Sequence, residues 1–164
     1  MKSEALRALQ APLKEQYREE PESALVTFRA EGRALDDISC HVETARGAVV
    51  FGLHPAAGGD GTFTCSADMM LEALVGCAGV TLRAVATAMG ITLRDVRITA
   101  SGELDFRGTL GVSREAPVGF KTIRLHVELD TDADEAARAT LIRLTERYCV
   151  VFQTLRNPPE ITVS

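Results

Sequence analysis

The sequence predicts an α+β fold, and three observations carry that expectation. Residues 25–53 and 91–129 alternate apolar and polar side chains between Gly and Asp punctuation, the pattern of half-buried strands. Between these blocks, residues 67–89 are apolar around most of a helical circumference. After them, the acids Asp132 to Asp134 open a further helical pattern running toward Tyr148. With 164 residues and 46% apolar composition, the chain suits one domain over 23–164 preceded by a short arm over 1–22.

The elements follow in order. Residues 3–20 form an amphipathic helix with Leu6, Leu9, Leu13 and Tyr17 in one stripe, interrupted at Pro12 and closed by Pro21. Such an arm cannot bury its stripe alone and must dock on the body or on a partner subunit. Strands are expected at 25–31, 36–43 and 48–53, forming a small antiparallel meander. The glycine-rich stretch 54–61 is a connecting loop, since no Gly-Lys-Ser/Thr follows to make a phosphate cradle. Ser66 is placed to cap the helix 67–89, and Gly90 to end it. Alternation returns at 91–106 and 121–129. The helix opened by Asp132–Asp134 then reaches Tyr148, a further helical piece covers 150–156, and a closing strand is expected at 161–163.

Several function classes are disfavoured. A net charge of −5 speaks against polyanion or nucleic-acid binding, and 5% aromatics without Trp supply few stacking platforms. No uninterrupted apolar run reaches the length of a membrane span, and the first residues mix acids and bases without an apolar signal region. A cytoplasmic setting is therefore expected. The cysteines Cys40, Cys65, Cys77 and Cys149 should there be reduced. They form no C-x-x-C pair and His41, His54 and His126 fall at no zinc spacing, so no metal site is expected.

Cys77 lies in the middle of the apolar helix. With Asp68 at 0°, Glu72 and Arg83 make a narrow polar edge while Cys77 falls at about 180°, pointing into the apolar interior. Desolvation alone would raise that thiol's pKa, so reactivity demands a cation or hydrogen-bond donors from elsewhere in the fold. Arg29 or Arg33, from the N-terminal strands, are the candidates. Cys40 and Cys65 read most simply as packing residues, with Cys65 at a helix start as a spare thiol.

The run Ser66-Ala67-Asp68-Met69-Met70-Leu71-Glu72-Ala73-Leu74-Val75-Gly76-Cys77 resembles the central-helix motif of the OsmC/Ohr family. The preceding Gly-Gly loop, the Arg107-Gly108-Thr109-Leu110-Gly111 region and Cys149-Val150-Val151, in place of the family's Cys-Pro-Val, fit the same pattern. The resemblance implies an OsmC-like fold, an intertwined homodimer and a thiol-dependent peroxidase acting on organic hydroperoxides without metal, haem or flavin. It gives Cys77 the peroxidatic role and Cys149 the resolving role, with an external dithiol as reductant. By the same resemblance Arg33, in Glu31-Gly32-Arg33, holds the thiolate, with Arg29 as the alternative. Asp68 takes the acid's place with Glu72 as its alternative, although Asp68 sits across the helix from Cys77. The rival readings are a small-molecule-binding protein on the same fold and a stress-associated dimer whose arm recruits a partner.

Overall fold

The computed structural model describes residues 1–164. In chain order it contains α1 (Ser3–Glu19), β1 (Glu31–Leu35), β2 (Ser39–Thr44), β3 (Gly47–Phe51) and α2 (Ser66–Met89). These are followed by β4 (Asp95–Leu104), α3 (Phe106–Thr109), β5 (Phe120–Asp130), α4 (Glu135–Tyr148) and α5 (Val150–Arg156). The mixture of helices and antiparallel strands is the α+β arrangement expected. The chain divides into two compact units: Met1–Thr27, Leu74–Thr99 and His126–Ser164 form one, Phe28–Ala73 and Ala100–Leu125 the other.

In the first unit, α2 buries one row of side chains spaced four apart. Leu74, Ala78, Leu82 and Ala86 are each no more than 2% exposed. Leu82 and Ala86 meet Leu93 and Leu141, with Val96, Val127 and Leu129 of the β4–β5 pair packed around them. Gly90 ends α2 in the left-handed region at φ 71°, a conformation that costs glycine little, and the Ile91 N–H returns to the Ala86 carbonyl. Arg83 donates to the Leu93 carbonyl at 3.1 Å, which ties α2 to the chain entering β4. Asp134 caps α4 by accepting from the Ala137 N–H at 2.7 Å, as its place before the helical pattern predicts. The Gln153 side chain donates to the Glu146 carbonyl at 2.7 Å and pins α5 to α4.

The second unit contains a three-stranded antiparallel meander, β1–β2–β3, with Arg33 opposite His41 and Cys40 opposite Phe51; its second and third strands lie where expected and its first does not. A short 3-10 turn at Pro55–Ala57 lies in the glycine-rich loop, where His54 stacks on Phe106 with ring centroids 5.1 Å apart. Asp105 caps α3 by accepting from the Arg107 N–H at 3.1 Å.

Several expectations need correction. The helix of the arm runs straight through Pro12 instead of breaking there. At its start, Met1, Lys2, Ser3 and Leu6 line an open cavity of about 580 Å³ with Arg83, Ala84, Thr87 and the Gly90–Thr92 turn. Leu9, Leu13 and Tyr17 stay exposed. The strand expected at 25–31 does not form, and pairing begins only at Glu31. Residues 161–163 also form no strand. Both segments alternate correctly, but a strand exists only where a neighbour satisfies its backbone, and neither segment has one. Ser66 is the first helical residue of α2 and not its cap, because the Cys65 carbonyl accepts the first helical bond, from the Met69 N–H. Finally, α2 is by length and composition able to cross a membrane, although Glu72 and Arg83 interrupt its apolar run. One row of it is buried, packed against β4, β5 and α4 side chains.

Candidate active site

Cys77 and Cys149 come together in the first unit. Cys149 occupies the junction of α4 and α5. Its N–H bonds back to the Thr145 carbonyl at 2.9 Å, and its carbonyl accepts from the Gln153 N–H at 2.9 Å. It therefore closes one helix and opens the next, which leaves the first amides of α5 without helical partners. Those amides face the two sulfurs. Val150 and Val151 direct their N–H groups at Cys77, and Val151 and Phe152 direct theirs at Cys149. Cys149 makes no ordinary cap hydrogen bond, since sulfur accepts weakly, but the amide charge is aimed at it all the same.

The two thiols are free and differ in exposure. Cys149 is 1% exposed, whereas Cys77 is half-buried. This corrects the interior placement read from the helical wheel. The buried row of α2 runs through Ala78, and Cys77 flanks it. Val80, also expected in the interior, is exposed. A small molecule in solvent therefore meets Cys77 before Cys149.

Electrostatics separates the thiols further. Burial pushes the Cys77 thiol up, but the Val151 N–H, the Cys149 thiol, the Val150 N–H and the Thr81 hydroxyl all donate to its sulfur, and the net effect is downward. Cys149 moves upward, because burial and its own donation to the Cys77 sulfur favour the protonated form, as does the charge on that sulfur. Of the two thiols, Cys77 is thus the easier to ionise and Cys149 the harder. The sequence reading looked for a distant guanidinium to do this. Four donors from α2, α5 and the α4–α5 junction already act.

The other candidates lie in the second unit. Arg33 is exposed on β1, and Arg29 is exposed in the unpaired stretch before it. Asp68 and Glu72 are exposed on the first turns of α2, in the part of that helix assigned to the second unit. Arg83, the cation nearest Cys77 on α2, is engaged with the Leu93 carbonyl. Sequence reasoning missed Thr81 and the α5 amides. Thr81 was within reach of it, since a residue four positions after Cys77 shares its helical face.

A comparison with curated proteins finds no match. Among solved structures, the chain is similar to an OsmC like protein from Mycoplasma pneumoniae, with 16% identity over 81% of this chain and 89% of that one and a TM-score of 0.67. It is also similar to an organic hydroperoxide resistance protein OsmC from Legionella pneumophila, with 23% identity, 82% and 92% coverage and a TM-score of 0.62. A third is the organic hydroperoxide resistance protein OhrB of Bacillus subtilis, with 20% identity, 82% and 94% coverage and a TM-score of 0.56. At these identities the likeness concerns the fold. The sequence pattern of OsmC-like proteins matches residues 59–164, which include α2, both thiols and everything after them. The chain belongs to the OsmC-like protein family.

Proposed function

We propose that this protein is a thiol-dependent peroxidase that reduces organic hydroperoxides to alcohols in oxidative stress defence. One observation carries the reading: two free thiols touch, with the charge favoured on the more exposed one. The Cys77 thiolate attacks the terminal peroxide oxygen. A sulfur–oxygen bond forms, the oxygen–oxygen bond breaks, and the sulfur becomes a sulfenic acid as the peroxide is reduced. Cys149 then displaces the hydroxyl from that sulfenic acid and forms an intramolecular disulfide, which an external dithiol reduces. Apolar neighbours of the site favour an alkyl tail over hydrogen peroxide.

By family resemblance, Arg33 orients the peroxide with Asp68 as its acid partner; Arg29 and Glu72 are the alternatives. The working molecule is a homodimer of one OsmC-like domain, residues 23–164, with residues 1–22 as an arm, acting in the cytoplasm. The names of the Legionella and Bacillus relatives support the choice of organic hydroperoxides.

The test is peroxide consumption by purified protein with a dithiol. Cumene hydroperoxide should disappear faster than hydrogen peroxide, and Cys77→Ser should reduce turnover to background. Equal rates in wild type and variant would replace this reading with that of a non-catalytic binding protein.

A further inference from the structure

The cavity at the base of the arm lies wholly within the first unit, between the start of α1 and the last turns of α2. Its volume, about 580 Å³, is in the range of small-molecule sites. Two cations, Lys2 and Arg83, line it, and no acidic residue does. Neither cation makes an ion pair anywhere in the chain. Arg83 commits one nitrogen to the Leu93 carbonyl at 3.1 Å, which leaves the rest of its N–H groups without a protein acceptor. The Ser3 hydroxyl oxygen, in the same lining, is buried and has no hydrogen-bond partner. Buried polar groups are almost always partnered, so this hydroxyl points to a ligand atom beside it. Thr87 differs, because its hydroxyl donates to the Arg83 carbonyl at 2.8 Å.

The backbone adds to the same charge. Lys2 supplies no side-chain cap to α1, and the first helical bond runs from the Leu6 N–H to the Lys2 carbonyl at 3.1 Å. The amides of Ser3, Glu4 and Ala5 therefore lack helical partners, and the positive end of the α1 dipole begins at the cavity wall. Leu6, Ala84 and Ile91 complete the lining with half-buried apolar surface. We infer that this cavity binds a small organic anion, a carboxylate head on a short apolar chain. Lys2, Arg83 and the Ser3 hydroxyl donate to the carboxylate, which only accepts, while Leu6, Ala84 and Ile91 cover the chain. An uncharged ligand would leave both cations uncompensated, and an inorganic anion would leave the apolar wall uncovered. Neither thiol enters this inference, which stands apart from the peroxidase reading. Because its contacts come from both helices, the bound anion ties the start of the arm to α2, although Leu9, Leu13 and Tyr17 remain exposed.

The experiment is an NMR titration of the full-length chain with hexanoate, hexanol and inorganic phosphate. With hexanoate, the amides of Ser3, Leu6, Ala84 and Thr92 should shift together and saturate with one dissociation constant, while those of β1–β3 stay in place. Hexanol should bind about tenfold more weakly, since it lacks the charge, and phosphate should not reproduce the saturating shifts. Lys2 is exposed, so Lys2→Glu should leave the spectrum of the ligand-free protein folded and weaken hexanoate about tenfold or more. Ser3→Ala should weaken hexanoate about fivefold and yet raise the thermal midpoint of the ligand-free protein, because it removes an unpartnered buried hydroxyl. Hexanoate should also slow hydrogen exchange in the first turns of α1. Absence of a saturable shift, equal affinity for hexanoate and hexanol, the same shifts with phosphate alone, or wild-type affinity in Lys2→Glu would each overturn the inference.

Discussion

The difference in ionisation between Cys77 and Cys149 comes from hydrogen-bond direction. Both sulfurs are pushed up by burial; Cys77 only receives donors, whereas Cys149 must give one away. Thiol-selective alkylation across pH should therefore modify Cys77 at a pH below the ordinary thiol range, with Cys149 silent until well above it. Thr81 is the side chain on α2 that adds to this bias. Thr81→Ala should slow alkylation of Cys77 at neutral pH about threefold, while Thr81→Ser should stay near the wild-type rate, since one hydrogen bond to a charged group is at stake. Equal rates in all three proteins would remove Thr81 from the site. Residue types alone pointed to both thiols. The donors escaped the sequence reading because two of them are backbone amides, which every residue except proline carries.

At the scale of elements, the start of α5 turns a family departure into a contribution. Val150 stands where the family pattern has proline, and its N–H reaches the Cys77 sulfur; proline has no N–H to offer. Val150→Pro should tighten the helix start yet shift the pH of half-maximal Cys77 alkylation upward, and an unchanged profile would show that the amide is idle. The short helix α3 gives a separate test in the second unit. Hydrogen bonds from Arg107 hold Asp105 down to about 2. A carboxyl whose pKa is depressed on folding adds stability above its unfolded value and loses it as pH falls toward the folded one. Arg107→Ala should raise Asp105 part of the way toward the ordinary carboxylate range in an NMR titration, since the backbone N–H at 107 remains, and the acid-side loss of local order should begin at higher pH. Gly108 in this helix has no room for a side chain, since a Cβ would lie 2.5 Å from the Pro117 carbonyl oxygen. In α2, Leu82→Ala should cost about 3 kcal/mol in chemical denaturation, because Leu82 is fully buried among Ala86, Leu93 and Leu141.

For the whole molecule, the exposed apolar side chains set the expectation. Val80 is 74% exposed in the first unit and Phe28 91% exposed in the second. The proposed homodimer would cover apolar side chains of this kind. Sedimentation velocity should give the mass of two chains, and Val80→Asp should shift the equilibrium toward one. A monomeric wild type at micromolar concentration would refute the homodimer.

Taken alone, the amino-acid sequence determined the helical stretches, the second and third strands of the meander and the two cysteines worth watching, because periodicity and punctuation are local properties of the chain. It misjudged residues 25–31 and 161–163, since alternation says which way side chains face and not whether a neighbouring strand exists. Only the tertiary structure decided that Cys77 meets Cys149 across 72 positions, that the first amides of α5 point at both sulfurs, and that the more exposed thiol is the easier to ionise. The reason is physical. A thiol's ionisation depends on the groups within a few ångströms of the sulfur, and which groups those are is settled by how distant segments pack.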